Sequence, residues 1–581
     1  MNTKKSRFSK LSWLATLLGV LLALTLAACA QSQPAESNKP AEESKPAEES
    51  KPAEEAKPAE ESKPAEEAAE STGGEKVLIV AVNGDVDTFD PCCTVGTKTS
   101  QTTIQNTFDQ LTQYAHIEKT LPDGAKYMTV DTNKIEGMLA ESWSQEGNVV
   151  TFKLRKDLKF HNGNPITAQT IVDGYKRIFE VGGLSSFLLI MGSVTKPDQF
   201  KAVDDLTVQM TMETANTLVN PNNVMHNTST VDPKEVAEHK TDTDPWAGDY
   251  FKKNLATGSG PFMLEEYVPG DRIVLKAWDD YYGGRAKLDK VIVKVVPDPA
   301  QRVLLLKRGE VDMIMIPPVK DLDDLKKDPN IKVVSVPSTQ NRMVEMNNAI
   351  PPFDNKLVRK AVAYAIPYDT LLKEVWLGYA SQLRSPIADG TPTSDFSSWA
   401  YDTNPDKAKE LLAEAGFPDG AGLPPIKLSI RIGTEEDERA AVFIQDALSK
   451  IGMNVEIEKL AFATFQEKEA KRELQMFIDE WISWVNDPYY HLSWIYSSTS
   501  PLVYTNYKNE KVDELIAKYT LWAGDPKERE EASKEIQKLI IDDTPIVYLL
   551  APNFNIAMRS NVTGYVYYND ELNRYYYMDK E

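Results

Sequence analysis

Between Lys39 and Ala68 the chain repeats the hexad K-P-A-E-E-S/A five times. A proline every sixth residue forbids a continuous helix, because proline lacks a backbone donor and clashes with the preceding turn. Nothing aromatic or β-branched is available there to build a core, so residues 30–74 should stay an extended, solvated spacer. At roughly 3 Å per residue where it is polyproline-like, that spacer reaches on the order of 100 Å. The folded part must therefore begin near residue 75. The remainder, 75–581, is too long for one hydrophobic core, so two or more lobes are expected.

Ahead of the spacer, Lys4, Lys5, Arg7 and Lys10 precede a mostly apolar run, Leu11 to Leu26, followed by Ala27, Ala28 and Cys29. That is the layout of a secretory signal, too short and wrongly flanked for a stable membrane span. Leu26-Ala27-Ala28-Cys29 resembles a bacterial lipobox. The resemblance implies that Cys29 is lipidated and becomes the new N-terminus, each acyl chain gaining about 0.8 kcal/mol per buried CH₂. No second apolar run approaches twenty residues.

A formal net charge of −22 argues against a nucleic-acid partner. Beyond Cys29 the cysteines are Cys92 and Cys93, adjacent, and readable as a vicinal disulfide or as two thiols. With five histidines and no finger-like spacing, neither a metal site nor another cofactor is expected.

The body alternates strand-like and helix-like runs, as an α/β fold requires. Val77–Val82, V-L-I-V-A-V, reads as a buried strand. Residues 104–111 read as helical, 149–154 as a strand, and Asn162-Gly163 as a turn. Thr167 is placed to cap a helix beginning at Ala168. Further on, 427–432 reads as a strand, 438–451 as a helix and 455–460 as a strand.

Several stretches resemble the extracellular solute-binding proteins of ABC importers, family 5, which includes dipeptide, oligopeptide and nickel binders. Leu139-Ala140-Glu141-Ser142-Trp143 and the run from Phe152 to Ala168 carry the most specific pattern, L-A-x-S-W and F-x-L-R-x-x-x-x-F-H-x-G-x-P-x-T-A. Thr257 to Phe262, Tyr281 to Gly284, Leu306 to Asp312, Asn347 to Val362 and Ala408 to Phe417 extend it to most of 75–581. The resemblance implies a two-lobed α/β periplasmic-binding-protein-like fold of type II, with an extra inserted subdomain and a ligand cleft between the lobes. It places lobe I at 75–103, 248–340 and 545–581, an insert at 104–247 and lobe II at 341–544, with crossings near 340 and 545.

It also implies function: a lipid-anchored, monomeric binding component on the outer face of a Gram-positive cell membrane. Such a protein passes a peptide or other small solute to an ABC permease and ATPase complex. In the family's peptide binders an aspartate in a W-x-x-D-Y-x-D-P-like stretch holds the α-ammonium. Here the stretch reads Trp481-Ile482-Ser483-Trp484-Val485-Asn486-Asp487-Pro488, so Trp484 stands in the aspartate's place. Asp487 could substitute, Trp484 could offer a cation–π contact, or the solute could be an oligosaccharide stacked on Trp481 and Trp484. Ligand candidates are Cys92, Cys93, Thr94, Asn347, Trp481, Trp484, Asn486, Asp487 and Tyr489. Asp90, His161 and Arg359 are expected to be structural. A surface receptor for a peptide signal would use the same cleft. An enzyme is disfavoured, since no nucleophile elbow, H-E-x-x-H or Ser-Lys motif occurs.

Overall fold

The computed structural model describes residues 74–92, 97–216, 218, 224–225 and 228–581, with Leu184 described by its backbone alone. The signal, Cys29, the spacer up to residue 73, Cys93 and Thr94 lie outside the described residues. Residues 75–581 form one compact unit.

Its first part contains β1 (Val77–Val82), α1 (Lys98–Thr107), β2 (Thr112–Thr120), β3 (Lys126–Gly137), β4 (Ala140–Glu146), β5 (Val149–Leu154), α2 (Ala168–Val181), β6 (Phe200–Asp204) and β7 (Thr207–Thr211). Then come β8 (Phe262–Val268), β9 (Arg272–Ala277), β10 (Lys290–Val295), β11 (Met313–Met315), β12 (Ile331–Pro337), β13 (Gln340–Met346) and a short β14 (Ala380–Ser381). The last part holds β15 (Ile426–Arg431), α3 (Glu435–Ser449), β16 (Val455–Leu460), α4 (Phe462–Ala470), β17 (Met476–Ile482), α5 (Pro488–Ile495), α6 (Pro526–Asp543), β18 (Ile546–Arg559) and β19 (Val566–Tyr567).

Among the described residues one large sheet runs β16-β15-β17-β13-β18-β11-β1-β10-β9-β8, with β12 and β14 also on β18. The long strand β18 joins its halves. Ile546 to Leu550 pair with β13, whereas Asn553 to Arg559 pair with β12 and Ile556 to Met558 with β11. The chain crosses between the halves here and again between β12 and β13. Each half has its own core. Val344, Leu428, Ile444, Leu448 and Ile478 belong to one, and Leu78, Val80, Ile273 and Val293 to the other. Burial of these side chains is the main favourable term holding each half.

A smaller sheet, β4-β5-β7-β6, packs its own core of Val150, Phe152, Tyr175 and Phe200. Here α2 begins where the sequence places it. The Thr167 side chain accepts from the Thr170 N–H and the Thr170 side chain reaches back to the Thr167 N–H, a reciprocal cap that satisfies two otherwise orphaned donors. The third sheet, β2-β3-β19, ties the C-terminal segment to this region.

Candidate functional site

Where the halves of the large sheet meet, a cleft of about 1560 Å³, part of it open to solvent, separates them. Lys98 and Ile316 line one wall; Arg342, Arg431, Phe462 and Glu480 line the other. Exposed apolar side chains stand on both lips: Ile316 on one side, Ile432 and Phe462 on the other. The strand β17 borders the cleft with an incomplete ladder. It pairs with β13 along its whole length but with β15 only at Met476 and Phe477. From Ile478 to Ile482 its second edge has no strand partner among the described residues.

Beneath that edge lies a charged cluster. Arg431 pairs with Asp479 at 2.6 Å, and Arg342 with Glu480 at 2.5 Å and with Asp437 at 3.5 Å. Glu345 and Glu469 are buried beside them. Burial and the neighbouring Asp479 charge push Glu345 well above the usual carboxylate range, and burial with the charges of Asp479 and Glu345 raises Glu469 to about 10. At pH 7 the folded chain therefore keeps a proton on Glu469 that the unfolded chain releases, and stability falls as the pH rises from about 4.5. Glu469→Gln carries that neutrality permanently. It should raise the urea midpoint at pH 8 by the equivalent of about 1–3 kcal/mol and lessen the pH dependence between 5 and 9, with Glu345 keeping its own share; an unchanged midpoint and slope would mean that Glu469 is ionised in the fold.

Each sequence-derived candidate among the described residues has a definite place. Asp487 caps α5: its side chain accepts from the Tyr489 N–H at 2.8 Å, with Pro488 at the first helical position, where a missing N–H costs nothing. Its carboxylate also receives both guanidinium nitrogens of Arg529, at 2.8 Å each. Asp487 is thus neutralised inside the protein, which corrects the expectation that it could serve as the solute's counter-charge. Tyr489 is wholly buried, donates to the Arg529 carbonyl at 2.9 Å and lies under the Arg529 guanidinium. Asn486 donates to Thr132 Oγ1 at 2.8 Å.

Asn347, also wholly buried, donates to the carbonyls of Arg472 and Leu474 and accepts from Ala349 N–H and Asn506. It fastens loops rather than facing the cleft. Cys92 sits in the core of the small sheet, 2.7 Å from an Arg177 nitrogen, not on a cleft wall. Asp90 pairs with Arg177 in full burial, His161 bonds the Gly260 carbonyl at 2.9 Å, and Arg359 holds the carbonyls of Phe353 and Asp543, so each is engaged within the protein. Trp481 is half-buried against Tyr490, His491 and Trp494, so its ring is largely spent on packing.

Asn486 and Asp487 line an open groove with Trp522 and Arg529, and Trp484 lines a different cavity. The Trp484 carbonyl is held by Asn569 at 2.8 Å, and the small cavity that the residue lines, of about 40 Å³, lies between this segment, the end of α1 and the C-terminal tyrosines. Asp109 lines the same space and is almost fully buried. Its Oδ2 accepts from the Tyr281 hydroxyl at 2.9 Å; its Oδ1 has no partner. Burial raises its pKa to about 7, against the pull of the Tyr282 and Tyr281 hydroxyls and Arg155.

The sequence reading missed Asp109 because it extends the helix over 104–111. The helix instead ends at Thr107 and Phe108 is extended, which turns Asp109 out of helical register. Gly258 and Gly260 hold it there: a Cβ on Gly258 would fall 1.8 Å from the Thr107 carbonyl oxygen, and between them Ser259 Oγ accepts from the Asp109 N–H. An acidic residue between the apolar Phe108 and Leu111 is the signal that could have found it.

Two α/β halves joined by shared strands around a polar cleft define a solute-binding protein of the two-lobed type II class. The chain belongs to the bacterial extracellular solute-binding proteins, family 5, whose middle region matches residues 134–501; these proteins bind solutes and are not enzymes. The chain is 29% identical over 503 residues to the probable D,D-dipeptide-binding periplasmic protein DdpA of Escherichia coli K12, covering 84% of this chain and 91% of that protein. The glutathione-binding protein GsiB of the same strain is 26% identical over 453 residues, 74% and 83% of the respective chains. Among solved structures, the ABC transporter-associated binding protein DppA of Helicobacter pylori, in complex with the peptide STSA, superposes with a TM-score of 0.75 at 26% identity, covering 87% of this chain and 98% of that one.

Proposed function

We propose that this protein captures peptides in the cleft between its halves and hands them to an ABC permease and its ATPase, anchored through lipid on Cys29 to the outer face of a Gram-positive cell membrane and acting as a monomer. On this reading 75–103, 248–340 and 545–581 form lobe I, 104–247 its insert and 341–544 lobe II, with closure of the lobes burying the solute. The observation that carries it is the half-paired strand β17. An extended peptide laid along Ile478 to Ile482 finds main-chain donors and acceptors already aligned, the mode of strand addition. The names of the three similar proteins, which refer to dipeptide, glutathione and a bound tetrapeptide, support the same solute class. The packing of Trp481 into its own half weakens the oligosaccharide alternative, which needs a free stacking face.

Native mass spectrometry of the folded region with a peptide library and an oligosaccharide pool tests this, with peptide adducts expected. Methylating successive backbone nitrogens of a bound peptide should then weaken it about tenfold at the positions that donate to β17, each lost hydrogen bond being worth roughly 0.5–1.5 kcal/mol plus the cost of the orphaned partner. Saccharide adducts without peptide adducts would overturn the proposal. For the anchor, Cys29→Ala should release the protein from membranes into the medium; retention would refute lipidation.

A further inference from the structure

The cavity behind Trp484 combines features that the peptide reading alone leaves unexplained. Its walls are rich in aromatic rings, among them Tyr114, Trp484, Tyr568 and Tyr577. Its one cation among the described residues, Arg574, is already matched: both terminal nitrogens reach the Asp570 carboxylate at 2.5 Å, and the guanidinium lies 3.9 Å over the Tyr568 ring. The carboxylate of Asp109 makes no ion pair among the described residues, and the Tyr282 hydroxyl and the Arg155 charge act on it only from beyond hydrogen-bond distance. With 1% of its surface exposed, it has one oxygen bonded to Tyr281 and one with no partner, and the buried Tyr114 hydroxyl on the same cavity is also without one.

Buried polar atoms are almost always satisfied, and an orphaned one costs about 1–3 kcal/mol, more when charged. A ligand group that donates hydrogen bonds and carries positive charge answers both orphans once Asp109 is ionised. An alkylammonium does so, with its N–H groups toward Asp109 Oδ1 and Tyr114 and its carbon toward the aromatic faces, which attract cations. A neutral hydroxyl would leave the charge unbalanced, and a carboxylate would be repelled.

We infer that this cavity is the ammonium subsite of the protein, with Asp109 as the carboxylate that reads it, on the opposite wall from the position where Trp484 replaces the family's aspartate. That the ammonium is a peptide's N-terminus rests on the peptide reading above; the affinity of the cavity for an alkylammonium does not.

Saturation-transfer NMR with n-butylammonium, and with n-butanol as the neutral control, reads the cavity directly. The same comparison is made with a tripeptide carrying a free or an acetylated N-terminus. The wild-type protein is expected to prefer butylammonium to butanol, and the free tripeptide to the acetylated one, by at least tenfold. Asp109→Asn should bring both ratios to within about twofold while the circular dichroism spectrum is kept. Should Asp109→Asn fail to fold, Tyr114→Phe, which deletes only the second acceptor, should lower both ratios about threefold. Butylammonium bound through Asp109 with no peptide of either kind would keep the subsite and overturn the peptide reading. Free and acetylated peptides bound equally, with butylammonium no better than butanol, would overturn the subsite and keep the peptide reading. Ratios unmoved by either variant would show Asp109 to be a buried structural acid.

Discussion

Arg529→Met is expected to lower the unfolding free energy by about 3–5 kcal/mol, the usual consequence of deleting one partner of a buried ion pair. The Arg529 and Asp487 side chains retain only 15% and 10% of their exposure, so the carboxylate left behind would be poorly solvated. The loss spreads further, because Asp487 caps α5 and Arg529 covers the Tyr489 ring and bonds the Tyr519 carbonyl. Asp487→Asn keeps a capping oxygen while removing the charge, and the pair Arg529→Met with Asp487→Asn should recover part of the loss, since neither charge is then left alone. A double-mutant cycle on urea midpoints measures that coupling. The cycle also bears on function. With Asp487 committed to Arg529, neither single variant should sharpen the preference for a free amine. If Arg529→Met instead tightened binding of free-amine peptides over acetylated ones, Asp487 would be a ligand carboxylate after all.

What the sequence revealed here depended on range. Val77–Val82, Val149–Leu154 and Val455–Leu460 were legible as strands to the residue, because a buried parallel strand or a plain alternation is written locally. The α2 cap was legible for the same reason. The helix at 438–451 in fact begins at Glu435: its first turn holds Glu435, Glu436, Asp437 and Glu438, which favour a helix N-terminus but look like a solvated loop when read for hydrophobic period. The site was less legible. W-I-S-W-V-N-D-P located the segment that walls the cavity, yet the partner that occupies Asp487 lies 42 residues away. Asp109 meets Tyr281 across 172 residues. Nothing local distinguishes a carboxylate paired with arginine from one without an ion pair, so the sequence reading singled out Asp487 and passed over Asp109.

Affinity for a free-amine solute should rise about tenfold per pH unit between pH 5 and 7, level off near neutrality, and fall again above about pH 8 as the solute's own α-amino group, with a pKa near 7.7–8.0, loses its proton. The rising limb belongs to Asp109. Its pKa near 7 in the absence of solute means that below neutrality the carboxyl must release a proton before it can pair with an ammonium, and an opposite charge at close range then holds it ionised. The groups around it do not share that window. Tyr281 and Tyr282 titrate far above it, Tyr114, Tyr576 and Tyr577 also lie above their usual range, and Asp570 is bound to Arg574. His116, which meets the Tyr568 hydroxyl at 2.7 Å, is held below 6.5 by burial and Arg574, so charging it in acid would add to the loss of ammonium affinity rather than mask it. Without solute the same carboxyl acts on stability with a definite sign. Its folded-state pKa is raised from 3.8, so the folded chain binds the extra proton between about pH 4 and 7 and stability declines as the pH climbs through that interval. An ammonium in the cavity offsets that decline, and the thermal stabilisation by a free-amine peptide should therefore grow with pH where the unliganded protein weakens. Calorimetric dissociation constants at pH 5, 6, 7 and 8 for one peptide and its N-acetyl form decide the matter: a slope confined to the free amine and absent in Asp109→Asn places the titrating carboxylate at Asp109, and equal slopes for both peptides assign the pH dependence to groups elsewhere in the cleft.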